Sequence, residues 1–122
     1  MDTRSLAFLA SKSAIAIESN LNGKRLAIFE GAVIPLAEEM KRLSKEKYSI
    51  KTGMLMDFVF PDEGWRGKSI DEVYSETEHF ADDLSKFKTL PETAQRKLMR
   101  RCIDLSRSAR NYDFGYLEGF VA

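Results

Sequence analysis

From residue 69 to residue 110 apolar side chains recur every three or four positions, with one break at Lys88-Thr89-Leu90-Pro91. That spacing confines the chain to helix, because a strand needs alternation with a period of two. Ser69 followed by Glu72 has the form of a capping box, in which the hydroxyl meets an orphan N–H and the carboxylate reaches back. Beyond it Ile70, Val73, Tyr74, Thr77, Phe80, Ala81, Leu84 and Phe87 stay in helical phase. Pro91 suits the first position of a following helix, whose apolar stripe is Ala94, Leu98, Cys102, Leu105 and Ala109. The link between the two is short, so they are expected to pack antiparallel as a hairpin.

The N-terminal segment obeys the same period. Over residues 3–22, Leu6, Ala10, Ile17 and Leu21 share one side and Leu9 and Ala14 widen it, while Phe8 and Ile15 lie nearly opposite. A helix apolar on two sides sits centrally in a bundle or partly in an interface. Asn22-Gly23 is a stop signal, with glycine available for the left-handed position after the cap. In residues 24–47, Leu26, Phe29, Val33, Leu36 and Met40 stay in phase across Pro35, which predicts one helix kinked at the proline.

Residues 48–60 are ambiguous. Their even positions alternate as in a strand, yet Met54, Leu55, Phe58 and Val59 also fit one helical face, with Thr52 as an N-cap. A strand here needs a partner, and residues 25–30 are the one other candidate. The expected fold is therefore all-α, an irregular bundle of about five amphipathic helices forming a single domain over residues 1–122. The alternative is an α+β fold with a small two-stranded sheet from residues 25–30 and 48–60. Residues 61–67, Pro-Asp-Glu-Gly-Trp-Arg-Gly, read as a turn or loop.

A chain of 122 residues with 43% hydrophobic and 31% charged side chains can bury a core without staples and lies far from the disordered class. Nineteen Lys and Arg balance nineteen Asp and Glu, so any attraction to nucleic acid or membranes has to be local. Arg4, Lys12 and Glu18 interrupt the first apolar stretch, which excludes a membrane span and disfavours a targeting signal. Cys102 stands alone, so no intramolecular disulfide forms, and a reducing, cytoplasmic setting is expected.

Chemistry-bearing motifs are sparse. Glu76-x-x-His79 matches half of a di-iron carboxylate site, but His79 is the one histidine and lies on the solvent side of its helix. One Cys and one His make no structural zinc site, and Cys102 falls on an apolar stripe, where a thiol is inert. The glycines form no phosphate loop, and Gly23-Lys24 is followed by Arg25 rather than Ser or Thr. No catalytic residue, metal or cofactor is expected.

Two surface features remain. Residues 91–110 hold six basic side chains against Glu92 and Asp104, a net of +4. Arg96, Arg100, Arg107 and Arg110 fall within about 80° of one another at 100° per residue, opposite the apolar stripe. Such a face suits phosphate or carboxylate, because each guanidinium donates in pairs; the plain alternative is a solvated surface. Residues 62–88 carry a compensating net of −4, which can pair with Lys97 or Arg101 but not with the outward arginines. In the tail, Tyr112, Tyr116 and Phe120 recur every four residues beside Gly115 and Gly119, either docking on the core or offering an interface. The function expected from this inventory is a non-enzymatic, intracellular protein-interaction domain, such as a small regulator or inhibitor that occludes a surface. Its partner is another protein, or a second copy in a homodimer. The alternative is a nucleic-acid-binding protein using the basic face of residues 91–110.

Overall fold

In the computed structural model, Asp2 opens α1 (Thr3–Leu21) by accepting a hydrogen bond from the Ser5 N–H at 2.7 Å. The helix ends at Asn22, and Gly23 follows with φ of 74°, the left-handed step anticipated for it. The structure describes the backbone of residues 1–23, 27–47, 49, 51–61 and 69–121, and the side chains of those residues except 27–30 and 113–121. Four more helices follow: α2 (Ala27–Leu43), α3 (Thr52–Val59), α4 (Ile70–Ser85) and α5 (Glu92–Val121), with a 3-10 turn at Phe87–Thr89 before the last. The all-α bundle of about five helices is the architecture found.

The two-stranded alternative is not. Residues 27–30 are the first turn of α2, and Thr52–Val59 is helix, so the described residues contain no strand. α2 runs through Pro35, which is exposed, while Val33, Leu36 and Met40 are buried on the opposite side. Exposure of the ring reconciles the proline with the helix, since the missing N–H leaves its orphan carbonyl on the wet face. In α3 the buried set is Met54, Leu55 and Phe58, the helical face rather than the even-numbered one. Thr52 is not the cap: Lys51 holds that position without a side-chain bond, and the Thr52 hydroxyl pairs with the Tyr74 hydroxyl at 2.7 Å.

Packing order corrects a second expectation. α4 and α5 do not form a hairpin, although only a few residues separate them. Instead α5 packs along α1, α1 along α2, and α2 along α4, while α3 bridges α4 and α5 and closes the ring. The turn responsible is the 3-10 segment, where Phe87 is buried and anchors the link in the core. The Ser69 half of the capping box is present, with its hydroxyl accepting from the Asp71 N–H at 3.1 Å. The Glu72 half is not formed among the described residues, and Glu72 is exposed. Pro91 stands one residue ahead of α5, and its carbonyl accepts from Gln95 N–H at 3.0 Å.

Inside the ring lie Leu6, Ile17, Val33, Leu36, Met40, Met54, Leu55, Phe80, Leu84 and Leu105, all essentially without solvent contact. Each such side chain contributes about 1.5–3 kcal/mol by leaving water. The seam between α4 and α5 is filled by Arg101, whose guanidinium lies 5.2 Å from the Phe58 ring centre and 5.8 Å from that of Phe80. It also reaches Glu76 at 3.6 Å, the pairing foreseen for an acidic edge of α4. Lys41 of α2 meets Glu78 and Asp82 of α4 at 3.1 and 3.2 Å, so the acidic helix is partly neutralised by α2.

Candidate interaction face on the first and last helices

The α1–α5 contact is made by small residues. Ala7, Ala10 and Ala14 on α1 and Ser106 and Ala109 on α5 are buried where the two helices pack along one another, and Ile15, Met99 and Ile103 line a groove beside them. The Ser106 hydroxyl donates to the Ala7 carbonyl at 2.9 Å and lies 2.6 Å from the Ser11 hydroxyl. At the far end Asn20 donates to the Gln95 side-chain oxygen at 2.9 Å. Low numbers of α1 thus meet high numbers of α5, and the pair is antiparallel.

Outside this seam is an open groove of about 540 Å³, floored by Ala14 and Ser106 and walled by Ile15, Met99 and Ile103. Glu18 marks one end, and Arg107, Arg110 and Asn111 the other. Phe8 is 61% exposed, Ile15 46% and Ile103 42%, three of the most exposed large apolar side chains among the described residues. The Lys12 ammonium lies 4.5 Å from the centre of the Phe8 ring. The two-sided nature of α1 therefore has a structural meaning: Leu6, Ala10 and Ile17 turn into the core and Phe8 and Ile15 turn out of it.

All four arginines expected on one surface, Arg96, Arg100, Arg107 and Arg110, are exposed. They are not equivalent. Arg96 is held by Glu92 one turn away at 2.7 Å, and Arg110 reaches Ser11 across the seam at 3.4 Å. Arg100 and Arg107 make no ion pair among the described residues. Ile103 falls inside the same sector, about 20° from Arg96 at 100° per residue. The helical wheel alone contains this signal, but an isolated exposed isoleucine carries no meaning until Ile15 is known to lie beside it.

Of the tail residues, Tyr112 packs half-buried against the core, its ring edge over Gly53 of α3. The helical backbone continues through Gly115 and Gly119, while the side chains of Tyr116 and Phe120 lie outside the described residues. Cys102 is buried, and desolvation pushes its thiol well above the ordinary range. His79 is exposed and Glu76 half-buried. Among the described residues no group of three or more His, Cys, Asp or Glu side chains is placed to hold a metal ion. Nor is any helix there long and apolar enough to cross a membrane.

Comparison with protein-family models, curated proteins and solved structures finds no significant match in any of the three.

Proposed function

We propose that this chain is a protein-interaction domain of the cell interior, a small regulator or inhibitor that occludes a surface of a larger protein and performs no catalysis itself. The α1–α5 face is its contact surface. One observation carries the reading: Ile15 and Ile103 lie in the open on the lining of a single groove, and Phe8, two turns from Ile15 on the same side of α1, is exposed as well. Large apolar side chains clustered inside a polar rim are the usual anatomy of a contact surface, whereas scattered ones need no explanation. A lone thiol kept buried suits a reducing compartment.

The test places a photoreactive amino acid at position 103 and, as a control, at position 79 on the far side of the ring. Crosslinks to a polypeptide in the cell that makes the protein should form from position 103 and not from position 79. Equal or absent crosslinking from the two positions would remove the reading.

A second reading, nucleic-acid binding along α5, is favoured by Arg100 and Arg107, which are exposed and carry no ion pair among the described residues. It is weakened by Ile103 in the middle of the stripe and by Glu92 on Arg96. Phosphate neutralisation makes affinity fall steeply with salt, and an apolar contact responds little, so a salt titration separates the two.

A further inference from the structure

The groove between α1 and α5 has the shape that receives one more helix. Two antiparallel helices meeting through small side chains leave a furrow into which a third inserts a ridge of residues every three to four positions. Ile15, Met99 and Ile103 provide its apolar walls, and the thirteen residues of α5 from Met99 to Asn111 span it, about 18 Å for the steps between them at 1.5 Å each. That length accommodates three turns of a partner.

Electrostatics selects among occupants. Arg107 and Arg110 stand at one end, Arg100 on the outer flank and Lys12 beside Phe8, against Glu18 as the one acid lining the groove among the described residues. A second copy pressed through the same face brings these cations against themselves, with Glu18 as the main counter-charge. A head-to-tail copy fares no better. The outward side chains of α4 are Asp71, Glu72, Ser75, Glu78, His79 and Ser85, acidic but without a large apolar group, and on α2 Ile34, one turn from Glu38, is a single exposed large apolar side chain among the described residues, short of the ridge of three that the groove takes.

Resting on the protein-interaction reading above, we propose that the α1–α5 groove binds an amphipathic helix of a different protein. It sets large apolar side chains at positions i, i+3 or i+4, and i+7 between Ile15 and Ile103, and carries Asp or Glu on the flank that meets Arg107 and Arg110.

The experiment pans the full-length chain against a displayed library of helical peptides about 16 residues long, ~24 Å end to end, with Ile103→Glu protein as the counter-selection. Enriched peptides should share apolar residues at that spacing and a net negative charge. By fluorescence anisotropy, Ile103→Glu should weaken a selected peptide about thirtyfold or more, as expected for a central contact. Arg107→Glu with Arg110→Glu should weaken it about tenfold, and changing the peptide's flanking Glu to Lys should restore binding to that double variant. All three positions are exposed, and helical circular dichroism confirms that the variants fold. Enrichment of basic or neutral peptides, no enrichment, or binding indifferent to Ile103→Glu would overturn the proposal. So would a dimer in sedimentation that Ile103→Glu dissolves, because the occupant would then be a second copy. If position 103 still crosslinks to a protein while no acidic helix is selected, the helix inference falls and the broader interaction reading stands.

Discussion

The Ser106 hydroxyl donates to the carbonyl oxygen of Ala7 at 2.9 Å, joining residues 99 positions apart in the chain. The same hydroxyl oxygen faces Ser11, so it accepts from that neighbour while donating to the backbone. Ser106 is almost fully buried, and its small volume holds the first and last helices close enough to form the groove between them. Replacing it with Ala should cost about 1 kcal/mol, the ordinary net worth of a hydrogen bond. Replacing it with Leu should cost about 1–3 kcal/mol by forcing the helices apart. Urea unfolding of both variants checks this, and equal small losses would show a seam looser than its geometry implies.

Leu98→Ala should destabilise the protein far more than Arg100→Ala. Leu98 is buried beside Cys102 and Leu105, and such truncations cost about 2–5 kcal/mol. Arg100 is exposed, and surface changes of this kind stay within about 0.5 kcal/mol. Thermal melts of the two variants suffice for the comparison.

Arg101 supplies packing more than charge. Its Nε and Nη2 atoms are buried without a hydrogen-bond partner among the described residues, while its guanidinium carbon lies 5.2 Å and 5.8 Å from the Phe58 and Phe80 ring centres. The pair with Glu76 is half exposed, and such pairs contribute about 0–1 kcal/mol. Arg101→Met, which keeps the apolar stem, should therefore change stability by less than about 1 kcal/mol, and Arg101→Ala should cost more. A Met variant as unstable as the Ala variant would make the charge the important part.

Two glycines should respond with opposite signs. Gly31 lies inside α2, and a Cβ there meets nothing within 4 Å. Gly31→Ala should stabilise by about 0.5–1 kcal/mol through helix propensity. Gly23 holds φ of 74°, so Gly23→Ala should destabilise by about 1 kcal/mol from left-handed strain. Denaturant midpoints at constant slope are the measurement.

Burial raises the Cys102 thiol above its ordinary range, so the folded protein keeps it neutral at pH values where the unfolded chain ionises it. The associated stability is fully present below about pH 8.5, the unfolded value, and declines as pH rises beyond it. Cys102→Ala should abolish that alkaline decline. In the native protein at pH 8, alkylation should run at least about 100-fold slower than after unfolding, since the thiolate is the nucleophile. Prompt labelling without unfolding would mean that α5 opens locally.

The buried sides of α1, α2, α4 and α5 were legible in the sequence, because side-chain direction along a helix is set locally at 100° per residue. Leu6, Ala10 and Ile17 turned in and Phe8 and Ile15 out, as their spacing required; Leu98, Cys102, Leu105 and Ala109 did the same against Arg96, Arg100, Arg107 and Arg110. Caps at Ser69 and Gly23 were equally local, since each depends on its own few residues. The choice of neighbours was not local. A short link at residues 88–90 suggested a hairpin, yet burial of Phe87 and the matched small residues of α1 and α5 made the distant pairing the better one. Residues 48–60 met both periodicities, and the structure makes Thr52–Val59 helix, while residues 27–30, part of the other candidate strand, are helix in α2. The groove belongs to the same category. Ile15 and Ile103 are 88 positions apart, and nothing in either segment says that they share a surface. Their meeting follows from which helices exclude water from one another, a property of the whole packed chain.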